Sequence, residues 1–356
     1  MIKVQKIITS LEHVYDKISE EYKIKLFEPF SKVLYNSKYG YKIFWNSRDH
    51  RKGRHPSVQS IENHGTPAVI EPKKESIKLW GWEPWNISYW VAQLFFWGSV
   101  VWILNGILAM WPLSNVFWQD QLSGWTAFLG GFIFIFGGYT AFLEAINQRK
   151  TLKLGHIVVF KSSPTCNNKI VTAPKEPKSR VICYLHPMTK ELETEHERQR
   201  RKDSATTWLW FETEKSNWGW WLNTTQLIGA LIFFTACVTA IPGVLPDTAI
   251  TQNRFYWSPQ ILGALFFVIS SWMAMREVQQ GIFSFPLSKL GWNVGLWNLV
   301  GAIGFFLCGY FGLITQGVAN SEYLAYWGAA FSTFWGSIAF LLSSYLMLIE
   351  VLNRRQ

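Results

Sequence analysis

The chain has 356 residues, of which 49% are hydrophobic and only 16% charged, with 21 Trp and a formal net charge of +10. So few charges exclude an ordinary soluble globular domain, and so many Trp point to membrane–water interfaces, where the ring meets lipid on one side and water on the other. The mean hydropathy is only +0.06, so polar blocks must offset apolar ones. Because the basic residues gather in those blocks, nucleic acid is not an expected partner.

Residues 1–79 read as a basic cytosolic N-terminal segment. Glu12, Asp16 and Glu20 interrupt its start and no long apolar core follows, which argues against a secretory leader. Val4, Ile8, Leu11, Tyr15, Ile18 and Tyr22 share one face of a predicted helix. That face packs on the protein's own surface or lies among lipid headgroups. Residues 46–79 lack periodicity, contain Pro56, Pro67 and Pro72, and read as a linker.

An aromatic anchor, Trp80-Gly81-Trp82-Glu83-Pro84-Trp85, opens the first predicted transmembrane hairpin, residues 80–146. Its spans cover roughly 88–110 and 124–146, each close to the length needed to cross a bilayer. Residues 147–217 form a second basic cytosolic block, a loop or small insert. It holds candidate short strands at 156–160 and 181–185 and a candidate helix from Glu191 to Lys202. Trp218-Gly219-Trp220-Trp221 opens the second hairpin, residues 218–280, with spans near 222–241 and 259–278. The third hairpin and a short tail occupy 281–356, with spans near 293–314 and 326–350. The fold class is all-α: a polytopic membrane protein with six transmembrane helices arranged as three two-helix repeats.

One pattern recurs in all six spans. It starts at Gly98, Gly130, Gly229, Gly263, Gly301 and Gly336, each followed by a small residue. Four residues on stands an aromatic: Trp102, Phe134, Phe233, Phe267, Phe305 and Phe340. At about 100° per residue, steps 0, 4, 7, 8 and 11 lie on one helix face. In lipid, helices pair by close backbone approach over small residues. These glycines are therefore expected to pack helices.

The second helix of each hairpin carries an addition, a Glu at step 14: Glu144, Glu277 and Glu350. Step 14 falls about 40° from the glycine, on the packed stripe. A carboxylate near a helix C-terminus is mildly unfavourable, so a choice made three times needs a reason. Local pairing with Arg149, Arg276 and Arg354 is one. A ring of three carboxylates forming a cation or proton site is the other, since carboxylates at membrane depth mark ion pathways.

Orientation follows from the basic residues. Of 34 Lys and Arg, 15 lie in 1–79 and 14 in 147–217, and only Arg254 falls on the opposite side. Basic loops stay in the cytosol, so both termini are expected there, beside anionic lipid headgroups. The choice between endomembrane and plasma membrane is left open. Cys166, Cys183, Cys237 and Cys308 form no disulfide framework or zinc spacing, and no phosphate loop or catalytic group is visible. The expectation is a non-enzyme without metal or cofactor.

The stretch Gly291-Trp292-Asn293-Val294-Gly295-Leu296-Trp297-Asn298 through Gly301-Ala302-Ile303-Gly304-Phe305 resembles the YrhK-like domain, a two-helix membrane module found in uncharacterised fungal multi-pass membrane proteins. Ser332-Thr333-Phe334-Trp335-Gly336-Ser337 with Ser343, Ser344 and Glu350 shares that resemblance. The similarity is best over 290–352, fair over 218–280 and least in the first hairpin, where Asn105 fills a small-residue slot. It implies topology and no activity. Two functions follow as expectations. One is a structural or scaffolding role, with residues 1–79 or 147–217 binding a protein partner or lipid. The alternative is a transporter or channel using Glu144, Glu277 and Glu350.

Overall fold

A computed structural model describes residues 31–36, 41–52, 57–60, 77–147, 158–159, 183–184, 208–215, 217–246, 248–279, 285–315 and 322–353. Six helices are long and apolar enough to cross a bilayer: α2 (Ile87–Met110), α3 (Val116–Ile146), α4 (Trp218–Thr239), α5 (Ala249–Val278), α6 (Leu290–Thr315) and α7 (Leu324–Leu352). The protein is a multi-pass membrane protein with an all-α membrane part.

Several helices run past the spans expected from hydropathy. The longest, α3, has 31 residues and starts eight residues before its predicted boundary. Its polar first turns find partners in the chain just before them. Asn115 caps the helix by accepting from the Trp118 amide, and Gln119 donates to the Leu108 carbonyl. α5 and α7 gain length through π-helical turns at Asn253–Trp257 and Leu324–Ala330.

The six helices form a closed ring in chain order. Each packs against its predecessor and successor, and α7 returns to α2. The six step-four aromatics, Trp102, Phe134, Phe233, Phe267, Phe305 and Phe340, meet in a single buried cluster. Within each hairpin the contacts are reciprocal. Phe134 covers Gly98 while Trp102 covers Gly130; Phe267 and Phe233 do the same for Gly229 and Gly263, as do Phe340 and Phe305 for Gly301 and Gly336. A side chain at Gly263 would lie 2.6 Å from the Phe233 Cβ and 2.8 Å from the Gly229 carbonyl. At each of these six glycines a neighbouring helix comes too close to leave ordinary room for a side chain.

Two polar clamps join the hairpins. Asn147, just past α3, donates to the Leu209 carbonyl at 2.8 Å and accepts from its amide at 3.0 Å. Asn353, just past α7, grips Lys78 the same way, at 2.8 and 2.9 Å. Each clamp holds the chain nine residues ahead of the next hairpin's first helix, α4 and α2 respectively. Those helices also start alike. Asn86 and Asn217 cap them through the amides of Ser88 and Gly219, and each Asn donates to a Glu three residues earlier, Glu83 or Glu214.

Outside the bundle, β1 (Ser31–Asn36), β2 (Tyr41–Asn46) and β3 (Ser57–Ser60) form an antiparallel sheet in that order. The register sets Ser31 opposite Asn46 and Tyr41 opposite Ser60. Directly after β2 comes the short helix α1 (Ser47–Arg51). Strands β4 (Val158–Val159) and β5 (Cys183–Tyr184) pair antiparallel within the two runs expected to be strands. The helices expected at 4–22 and 191–202 lie outside the described residues.

The linker reading of 46–79 needs correction, because α1 and β3 fall inside it. An apolar-periodicity search is blind to α1. This helix is held by its charges, not by a hydrophobic face.

Candidate functional site

Glu144, Glu277 and Glu350 sit near the C-termini of α3, α5 and α7, at the end of the ring where α1 lies. All three are buried: Glu144 is 2% exposed, and Glu277 and Glu350 are 0% exposed. They converge on α1 and the residue after it. The Arg48 guanidinium forks onto Glu350, with Nε to Oε1 at 3.0 Å and Nη2 to Oε2 at 2.7 Å. Arg51 forks onto Glu277 through Nη1 and Nη2, both at 2.8 Å. The Lys52 ammonium lies 3.0 and 3.1 Å from the two oxygens of Glu144. Ser47 donates to Glu277 at 2.9 Å, and the Ser88 hydroxyl donates to Glu144.

This arrangement explains the repeated choice of Glu at an unfavourable helix end. The C-terminus of each of the three helices presents partial negative charge. The three cations of one turn compensate the carboxylates and the helix ends together. Two pairs are bidentate, the strong and directional form of the Arg–carboxylate contact. All six charged groups are buried, so removing either partner strands the other.

Burial pulls both Arg51 and Lys52 down, but their carboxylate partners leave the two with opposite net shifts. It pulls Lys52 below its ordinary amine range, and the Glu144 charge offsets only part of that. It also pulls on Arg51, but Glu277 more than compensates, with help from Glu144, and holds that guanidinium above its usual value.

The wall around the cations is cut to fit. Ser88, Gly219 and Gly291 each stand ten residues before the pattern glycine of their helix, Gly98, Gly229 and Gly301. A Cβ on Gly291 would fall 2.7 Å from Arg48 Nε, and one on Gly219 would collide with Arg51 Nη1. Glycine stands where a broad guanidinium docks. Serine stands at the third position, where its hydroxyl donates to Glu144, the carboxylate that Lys52 pairs with. Gly291→Ala should therefore loosen the Arg48–Glu350 pair by about 1–3 kcal/mol, the usual penalty for overpacking. Tryptic cleavage after Arg48, followed by mass spectrometry, measures this; cleavage no faster than in the parent would show that the cut-out is dispensable.

Among the described residues, the nearby cation expected to pair locally with Glu277 turns elsewhere. Arg276, adjacent to Glu277, donates instead to Gln279 at 3.0 Å. Arg149 and Arg354 lie outside the described residues. The cations that do pair, Arg48, Arg51 and Lys52, were missed by sequence reasoning. Their signal was present as three cations at steps 0, 3 and 4 within one turn, equal in number to the glutamates. Nothing in a helical-face analysis of the membrane segments leads to a turn some 90 residues before Glu144.

Beneath the cations lies a cavity of about 80 Å³ on the ring axis, walled by all six helices. That is room for several water molecules, each needing some 10–15 Å³ of such space. Asn223, Gln226, Asn298, Ser270 and Ser343 give it polar walls, and Phe134 and Phe340 are among its aromatic ones. Three of the polar groups are braced across helices: Ser270 donates to Gln226, and Asn298 donates to Ser271 at 2.7 Å. Beyond the aromatic cluster a smaller cavity of about 30 Å³ is lined by Trp102, Phe305, Asn105, Gln260, Cys308 and Thr333, among others. Gln260 and Thr333 both donate to the Cys308 sulfur at 3.0 Å. Two polar cavities are thus separated by packed aromatic rings.

Among the described residues, no group of three or more His, Cys, Asp or Glu is placed to hold a metal ion. No protein-family model matches the chain, and neither a curated protein nor a solved structure matches it.

Proposed function

We propose that the protein passes a small cationic or polar solute along the axis of its helix ring, and that residues 47–52 close the mouth of that path. One observation carries the reading. Three inward carboxylates, one per hairpin, stand above a polar cavity and are neutralised by a separate segment of chain. A purely structural charge cluster needs no cavity behind it. A path needs one, and needs its carboxylates covered when shut, because bare buried charge is costly.

The distribution of Lys and Arg supports placing this mouth on the cytosolic side. The reciprocal glycine–aromatic contacts support reading the hairpins as three copies of one two-helix unit, related by an axis along the membrane normal. The YrhK-like resemblance fits a unit of that size.

The test is ion and solute flux into liposomes. The parent protein should be nearly closed. A variant carrying Arg48→Ala, Arg51→Ala and Lys52→Ala should raise flux by roughly tenfold or more, as expected when a constriction is unblocked. Adding Glu277→Gln should then lower cation flux again. Flux equal to that of empty liposomes in every case sinks the proposal. It leaves the scaffolding reading, in which residues 1–79 and 147–217 bind a protein or anionic lipid and the ion pairs merely brace the fold.

A further inference from the structure

We propose that the three-carboxylate cup is a recognition site for a soluble oligoamine, a flexible chain bearing two or three cationic nitrogens, which exchanges with residues 47–52. This deepens the transport reading by naming a solute class. It rests on that reading for passage of the solute, and not for its binding.

The site is already occupied by such chemistry. Its occupants are two guanidinium heads and one ammonium head, each on a flexible aliphatic stem, all from one helical turn. The wall is matched to the heads. Gly219 and Gly291 clear space for the two broad ones, and at the third position Ser88 donates to the carboxylate itself. The fit of the tethered occupant is incomplete. Among the described residues, no hydrogen-bond partner meets the buried Arg51 Nε, in a residue that lines the cavity.

Charge decides the class of competitor. When residues 47–52 leave, three buried carboxylates lose these three cations together, and breaking any one such buried pair is strongly destabilising. Separate monovalent ions must supply three dehydrated charges in three binding events. An oligoamine supplies them in one, its second and third contacts being effectively intramolecular. Past the mouth the cavity walls carry amides, hydroxyls and rings, with no further carboxylate.

Trypsin gives a direct readout on the intact protein, because Arg48, Arg51 and Lys52 are themselves its cleavage sites. In the detergent-solubilised parent, spermidine should accelerate cleavage after these three residues, while NaCl of equal ionic strength should not. Thermal stabilisation by spermidine should appear at roughly tenfold lower concentration in the Arg48→Ala, Arg51→Ala, Lys52→Ala variant, because no docked segment competes. It should vanish when Glu144→Gln, Glu277→Gln and Glu350→Gln are added. If that variant does not fold, cleavage of the parent decides alone. Spermidine and NaCl acting equally on the parent overturns the proposal. Binding without flux would sink only the transport reading; flux of potassium with no spermidine effect would sink only this one.

Discussion

Arg51→Ala will be among the most damaging single substitutions outside the membrane spans. It leaves Glu277, which is fully buried, facing Ser47 and no guanidinium fork. Breaking a buried pair in this way costs about 3–5 kcal/mol. The loss has a ceiling, because α1 can undock and let water reach the carboxylate. Arg51→Ala should therefore combine a lower thermal midpoint in detergent with rapid tryptic cleavage after Lys52. Replacing both partners, Arg51→Met with Glu277→Met, should recover most of the stability, since apolar substitution of a whole buried pair is often neutral. A double variant as unstable as the summed singles would mean that the two groups are not coupled.

The second large effect belongs to the aromatic cluster. Phe305 is 1% exposed, and its ring centroid lies 5.0 Å from that of Trp102, 5.6 Å from Phe233 and 5.4 Å from Phe340. Phe305→Ala should cost about 3 kcal/mol, the lower end for a buried Phe, because in lipid the lost packing counts more than transfer from water. Its functional effect should be larger. Phe305 lines the smaller cavity and Phe340 the larger one, so deleting this ring thins the partition between them. Combined with removal of the three α1 cations, it should raise liposome flux above either change alone. Flux unchanged by Phe305→Ala in that background would show that no path crosses the cluster.

Much of the membrane part was legible because its determinants are local and periodic. The glycine, the aromatic four residues on and the Glu at step 14 each fix a direction on a helix, and lipid rewards small residues wherever helices touch. Even the depth of Glu144, Glu277 and Glu350 followed from spacing. Their partners did not. Arg48, Arg51 and Lys52 belong to a five-residue helix and its next residue, with no apolar face to betray them. The pairings span 302, 226 and 92 residues of chain. A charge pair leaves no periodic trace in sequence, so only folding brings its halves into view. The cavities were equally hidden, being what the side chains of six helices leave unfilled.

The Asn353 clamp on Lys78 has a consequence for biosynthesis. A ribosome delivers α1 and the lead-in to α2 first, and α7 with Glu350 and Asn353 last. Until the final helix enters the membrane, Lys78 lacks its Asn353 clamp and Arg48 lacks Glu350. The ring therefore cannot shut on an unfinished chain. Packing of α7 between α2 and α6 is therefore the last step of ring assembly, and a polypeptide truncated before α7 leaves those two helices without the neighbour that joins them.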